Sequence, residues 1–78
     1  MKPKHIRLIV TFETTTSAMA MERLCMEKQV PGRLIPVPRE ITAGCGMAWC
    51  APVGDRSVIE EAAKQAGIET SGWYELLV

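Results

Sequence analysis

The side chains whose types and spacing suggest chemistry are Arg39 and Cys45, in the run Pro36-Val37-Pro38-Arg39-Glu40-Ile41-Thr42-Ala43-Gly44-Cys45-Gly46. A thiolate rather than a thiol is the nucleophile, and a nearby cation favours it. Arg39 is the nearest such cation upstream, and no acidic residue occurs from Ile41 to Pro52. Gly44 and Gly46 permit φ > 0 and leave the Cys45 sulfur unwalled by neighbouring side chains. Pro36 and Pro38 fix φ twice and bias Ile35 and Val37 toward extended backbone, so Arg39 leaves a strand end in a preset direction. A blander account stands beside this one. Cysteine is among the most buried residue types, and Ala-Gly-Cys-Gly also suits a tight hairpin turn.

The elements that must position these residues follow from periodicity. Ile6, Leu8, Val10 and Phe12 alternate with Arg7, Ile9 and Thr11, which predicts a first strand with one apolar face. Thr14, Thr15, Thr16 and Ser17 supply N-cap oxygens for a helix over 18–28, with Met21, Leu24, Cys25 and Lys28 on its inner face. Cys25 reads there as a packed core thiol. Met19, Met21 and Met26 read as gap-filling core rather than as a binding surface. Pro31-Gly32 breaks the helix, a second strand spans 33–38, and a third spans 47–52 after a connection short enough for a hairpin. Ser57-Val58-Ile59-Glu60 has capping-box spacing, and Val58, Ile59, Ala62, Ala63 and Ala66 form the buried face of a second helix that stops at Gly67. A fourth strand covers 73–78, with Gly72 as a kink or turn at its start.

The order β-α-β-β-α-β predicts an α+β ferredoxin-like sandwich: a four-stranded antiparallel sheet with two helices on one face, as a single domain over 1–78. In that topology the end of strand one, the start of helix one and the loop between strands two and three meet at one edge. Cys45 then converges with Thr15 and Thr16, whose amides lie at the positive end of the helix and could stabilise a thiolate or a bound anion. The helix-free sheet face carries Ile9 and one parity of strand four, either Tyr74, Leu76 and Val78 or Trp73, Glu75 and Leu77. Such a face suits a homodimer or another partner. Trp49 and Trp73 are candidates for core or interface, and His5 for a solvated strand end.

Composition narrows the classes. Nine basic and nine acidic residues in 78 cancel, against a nucleic-acid surface built on net charge and against a polybasic membrane anchor. No apolar run approaches the roughly 20 residues that span a bilayer, and no basic segment leads into an apolar signal region. The expectation is therefore a cytoplasmic chain with no membrane partner. Cys25, Cys45 and Cys50 contain no C-x-x-C, so neither a disulfide framework nor a zinc knuckle is indicated and no metal or cofactor is expected. A single histidine leaves no hydrolytic triad. A redox or metal pair of Cys45 and Cys50 ranks last, since their spacing on an extended segment sends the side chains to opposite faces.

Arg33-Leu34-Ile35-Pro36-Val37-Pro38-Arg39-Glu40-Ile41 followed by Cys45-Gly46, with Thr11-Phe12 and the Ala18 to Leu24 stretch containing Glu22, resembles the small bacterial family described as putative selenium/sulfur carrier protein-like. The resemblance covers nearly the whole chain. It implies a carrier rather than a turnover enzyme, with Cys45 holding a chalcogen atom as a persulfide or selenopersulfide and passing it between sulfur or selenium donor and acceptor proteins. Transfer by attack on sulfur needs only an exposed nucleophilic cysteine, a cationic neighbour and flexible glycines. The alternative is a non-catalytic module that binds a small ligand or a protein on its sheet, with Cys45 shaping the hairpin.

Overall fold

The computed structural model describes residues 5–41 and 45–78. Its elements are β1 (Ile6–Thr11), α1 (Thr15–Glu27), β2 (Arg33–Pro36), β3 (Met47–Pro52), a single 3-10 turn at Val53–Asp55, α2 (Arg56–Ala66) and β4 (Gly72–Leu77). The sheet order is β2-β3-β1-β4 and every neighbouring pair is antiparallel. Both helices pack on one face, through a core of Leu8, Val10, Phe12, Ala18, Met21, Cys25, Trp49, Ala51, Ile59 and Ala63. This is the α+β ferredoxin-like arrangement that the element order predicts.

β1 differs from the expected strand with one apolar face. Leu8 and Val10 face the helices, but Ile9 on the other side is equally buried. It belongs to a second small core with Ile41, Ala48 and Cys50, edged by Ile35, Val37, Leu76 and Val78. The backbone beyond β2 makes this possible. β2 ends at Pro36 rather than Pro38, because Pro38 has no N–H to extend the ladder and its carbonyl instead accepts from Ile41 N–H at 3.0 Å. That turn drops Val37 and Ile41 onto the helix-free face. Part of the face is therefore closed by the chain itself, and Tyr74 and Leu76 of β4, with Val78 just past its end, share it, as the pairing of Tyr74 with Ile9 requires.

The helices begin and end differently from the sequence expectation. α1 starts at Thr15, a turn before Ala18, because Thr14 Oγ1 accepts from Ser17 N–H at 3.1 Å and so caps it. Its buried stripe is Ala18, Met21 and Cys25; Leu24 is half-buried, Lys28 lies past the last turn and is exposed, and Met19 and Met26 are 60% and 73% exposed rather than core. Gln29 takes a left-handed φ of 55°, letting Gln29 N–H reach Met26 O and Val30 N–H reach Cys25 O. α2 closes the same way around Gly67, with Ile68 N–H on Ala63 O at 3.0 Å. Its expected capping box does not form. The 3-10 turn carries the chain into the helix at Arg56, so Ser57 already lies within the first turn, and the buried stripe shifts to Ile59, Ala62 and Ala63, leaving Val58 53% exposed and Ala66 outside.

Trp49 is core, whereas Trp73 is half-buried at the rim, where its indole N–H donates to Thr70 Oγ1 at 3.0 Å. Arg56 lies 5.9 Å from the Trp73 ring centroid and bonds Glu60 and Glu75 at 2.8 Å each, tying α2 to β4. Gly32 lies flat on Trp49: at a φ of 139°, a Cβ there would sit 2.5 Å from the indole nitrogen. Gly32→Ala should therefore combine backbone strain with overpacking and cost about 2–4 kcal/mol, a Tm loss on the order of 10–20 °C in a chain this size. Gly46→Ala, at a φ of 87° with no atom of the described residues within 4 Å of the new methyl, should lose only about 1 kcal/mol. Thermal and urea unfolding of the two variants tests the difference; equal losses would mean that the Trp49 contact does not constrain the fold.

Candidate functional site

The site is built where β1 hands over to α1. After Thr11 the chain buries Phe12, exposes Glu13 and caps the helix with Thr14. The Phe12 carbonyl, at the end of the ladder, accepts from Cys45 N–H at 3.0 Å. That bond docks the cysteine two residues before the helix cap. Thr15 and Thr16 occupy the first turn of α1 and are exposed. Amides of a helix's first turn lack intrahelical partners and carry partial positive charge. Cys45 and the Thr15–Thr16 turn thus share the edge that the topology predicts.

Cys45 is half-buried, packed against the rim of the helix-side core, and its thiol donates weakly to Met47 O at 3.9 Å. Gly46 follows at a left-handed φ, and its carbonyl accepts from Val37 N–H at 3.0 Å, closing the arm from β2 to β3. Gly44 lies outside the described residues, as do Thr42 and Ala43. Arg39 sits on the turn from Pro38 to Ile41, exposed, and among the described residues its guanidinium joins no ion pair or side-chain hydrogen bond. Its neighbours Val37 and Ile41 pack on the helix-free face while Cys45 packs on the helix side. The structure therefore joins Cys45 to Phe12, two residues before the α1 cap.

The other two thiols are placed differently. Cys25 is fully enclosed in the helix-side core, and burial pushes its pKa up. Cys50 is buried on the opposite sheet face, paired with Ile9 and Arg33. No three His, Cys, Asp or Glu side chains among the described residues are grouped to hold a metal ion, and no described helix is long and apolar enough to cross a membrane. An open groove of about 720 Å³ runs along the outside of α1, lined by Met19, Ala20, Arg23, Leu24 and Ile68 among others. Thr16 is among its lining residues and Cys45 is not. Sequence reasoning missed Phe12 as the docking carbonyl and Ile41 as a core residue. The signal for the second was present, since Val37 and Ile41 are the apolar residues flanking Pro38-Arg39-Glu40.

The family model described as Putative Se/S carrier protein-like matches residues 7–75. The chain belongs to this family. No curated protein and no solved structure matches it. The matched stretch of this Se/S carrier-like chain takes in β2, β3, both helices, Arg39 and Cys45, and all but the outer ends of β1 and β4.

In the native Se/S carrier-like chain, a small alkylating agent near neutral pH should modify Cys45 first, Cys50 slowly and Cys25 only on unfolding. Mass-spectrometric peptide mapping over time reads the order, and early labelling of Cys25 would contradict its enclosure. The raised Cys25 pKa also has a sign. The unfolded chain releases that proton near pH 9 while the folded chain keeps it, so this contribution to stability is complete below about pH 9 and is lost as pH rises toward the folded-state value.

Proposed function

We propose that the chain carries a single sulfur or selenium atom on Cys45. The Cys45 thiolate attacks the outer atom of a donor persulfide, R–S–SH; the new Cys45–S–SH forms as the donor leaves as R–S⁻. The same step moves selenium from R–S–SeH. An acceptor protein then takes the atom. The observation that carries this reading is the contrast among the thiols: Cys25 and Cys50 are buried, while Cys45 sits half-exposed beside the first turn of α1. Family membership supports the same cargo.

In this reading Cys45 is the nucleophile, and Thr15 and Thr16 offer first-turn amides to an anionic intermediate. Gly44 and Gly46 keep the approach to the sulfur free of side chains, and Arg39 attracts the anionic donor or steadies the thiolate. Intact-mass spectrometry after incubation with a small-molecule persulfide, or its selenium counterpart, tests the assignment. One added chalcogen atom, absent in Cys45→Ser, is the expected result; no adduct would favour a binding module in which Cys45 only shapes the turn.

Arg39 is testable by itself. A guanidinium near a largely solvated thiolate is worth about 1 kcal/mol, so Arg39→Ala should slow Cys45 alkylation roughly fivefold at pH 7. Folding should be unaffected, because the side chain is exposed. Arg39→Lys should restore most of the rate if charge alone acts, and little if the guanidinium fork positions an anionic donor. Equal alkylation rates for wild type and Arg39→Ala across pH 6 to 9 would remove Arg39 from the mechanism.

A further inference from the structure

The two edges of the sheet are not alike. β2, at one end of the strand order, is four residues long and carries Arg33 and Pro36. Shortness, a charge and a proline are the features that blunt an edge against further pairing. β4, at the other end, runs six residues as Gly72-Trp73-Tyr74-Glu75-Leu76-Leu77, with no proline, no lysine and an unbroken register against β1. Its one charge, Glu75, is met by Arg56 at 2.8 Å. Tyr74 and Leu77 leave apolar surface in water, as does Ile6 beside Leu77.

The ladder shows which backbone groups of β4 lack a partner among the described residues. His5 and Val78 exchange both of their backbone bonds, at 3.1 and 3.0 Å. Such pairs alternate with non-bonded ones along an antiparallel ladder, so Leu76 and Tyr74 bond to β1 while the N–H and C=O of Trp73, Glu75 and Leu77 turn outward. A second β4, laid antiparallel with Glu75 at the two-fold axis, meets every one of these groups. Trp73 then stands opposite Leu77 of the partner subunit on the helix side, and Tyr74 opposite Leu76 of the partner subunit on the other side, both pairs of the kind that stabilise a sheet. Glu75 faces Glu75 of the partner subunit, a repulsion that the Arg56 of each copy cancels. The geometry points to β4 as a dimer edge, along which two copies of this chain join their sheets into one, with the helices of both on the same face. Cys45 lies on the path into β3, two strand spacings or about 10 Å across the sheet from this seam, so the inference does not depend on the carrier reading.

Two strands of this length bury less than the roughly 800 Å² per partner of a stable complex, so the dimer is weak, with a Kd on the order of 100 μM. Sedimentation velocity from about 10 μM to about 1 mM should move the mass from 8.6 kDa toward twice that value. Amide exchange at the higher concentration should slow at Trp73, Glu75 and Leu77. Leu77→Pro removes an outward N–H that the β1 ladder does not use, and should weaken dimerisation by about tenfold or more while the circular dichroism stays that of the wild type. Leu77→Lys, which leaves the backbone intact, should weaken it as well. Arg56→Ala should uncover the repulsion between the two Glu75 side chains and weaken pairing about fivefold at low salt, less at high salt. A mass that stays at 8.6 kDa up to about 1 mM, or a dimer untouched by both Leu77 variants, would overturn the inference. So would concentration-dependent protection confined to α1 or to the helix-free face. Protection of β4 only when an extended peptide from another protein is added would assign the edge to a foreign strand and overturn the second copy as its occupant.

Discussion

The structure depends on a strand without a solvent face. Leu8, Ile9 and Val10 of β1 are fully buried, and β1 is hydrogen-bonded to β3 on one side and β4 on the other. Each such side chain contributes about 1.5–3 kcal/mol relative to exposure, so a short run of β1 holds a large share of the apolar burial available to a chain of 78 residues. The helices close one side of it. On the other side the work is divided between Leu76 of β4, Val78 just past its end, and the arm that carries Val37 and Ile41.

That arm connects stability to the candidate site. It leaves β2 at Pro36 and lays Val37 and Ile41 on the helix-free face, while Cys45, before β3, packs on the helix side. Two backbone bonds pin the return: Val37 N–H to Gly46 O, and Cys45 N–H to Phe12 O. Both prolines restrict the arm before it folds, which lowers the entropy lost on ordering it. The thiol is thereby held by main-chain contacts of the central strand, and its own side chain stays partly free.

The three thiols illustrate how one residue type takes different roles by position. Enclosure in the core keeps Cys25 protonated and serves packing. Cys50 fills a small gap beneath Ile41 on the far face. Cys45 alone stands at a rim, next to a helix start whose amides favour negative charge. Trp49 shows the corresponding cost of tight packing. Its indole nitrogen is buried without a hydrogen-bond partner among the described residues, beneath a glycine that admits no side chain.

Element order, the parity of β1 and the ferredoxin-like class were legible in the sequence because they rest on local periodicity: the alternation through Leu8 and Val10, the helical spacing of Met21 and Cys25, the glycine at the end of α2; the parity of β4 is open in the sequence and is settled by its pairing with β1. The enclosed state of Cys25 and the exposed arginine on a proline-framed turn were legible for the same reason. Element ends were less so. Thr14 is the one of the four candidate hydroxyls that caps α1, and Val58 points outward, because caps and helix rotation are set by what each helix packs against. Only the tertiary structure decided that Ile9 packs with Ile41 and that Cys45 docks on Phe12. Those contacts join residues more than thirty positions apart, and no pattern within a single element encodes which carbonyl at the end of one strand will meet which amide at the start of another.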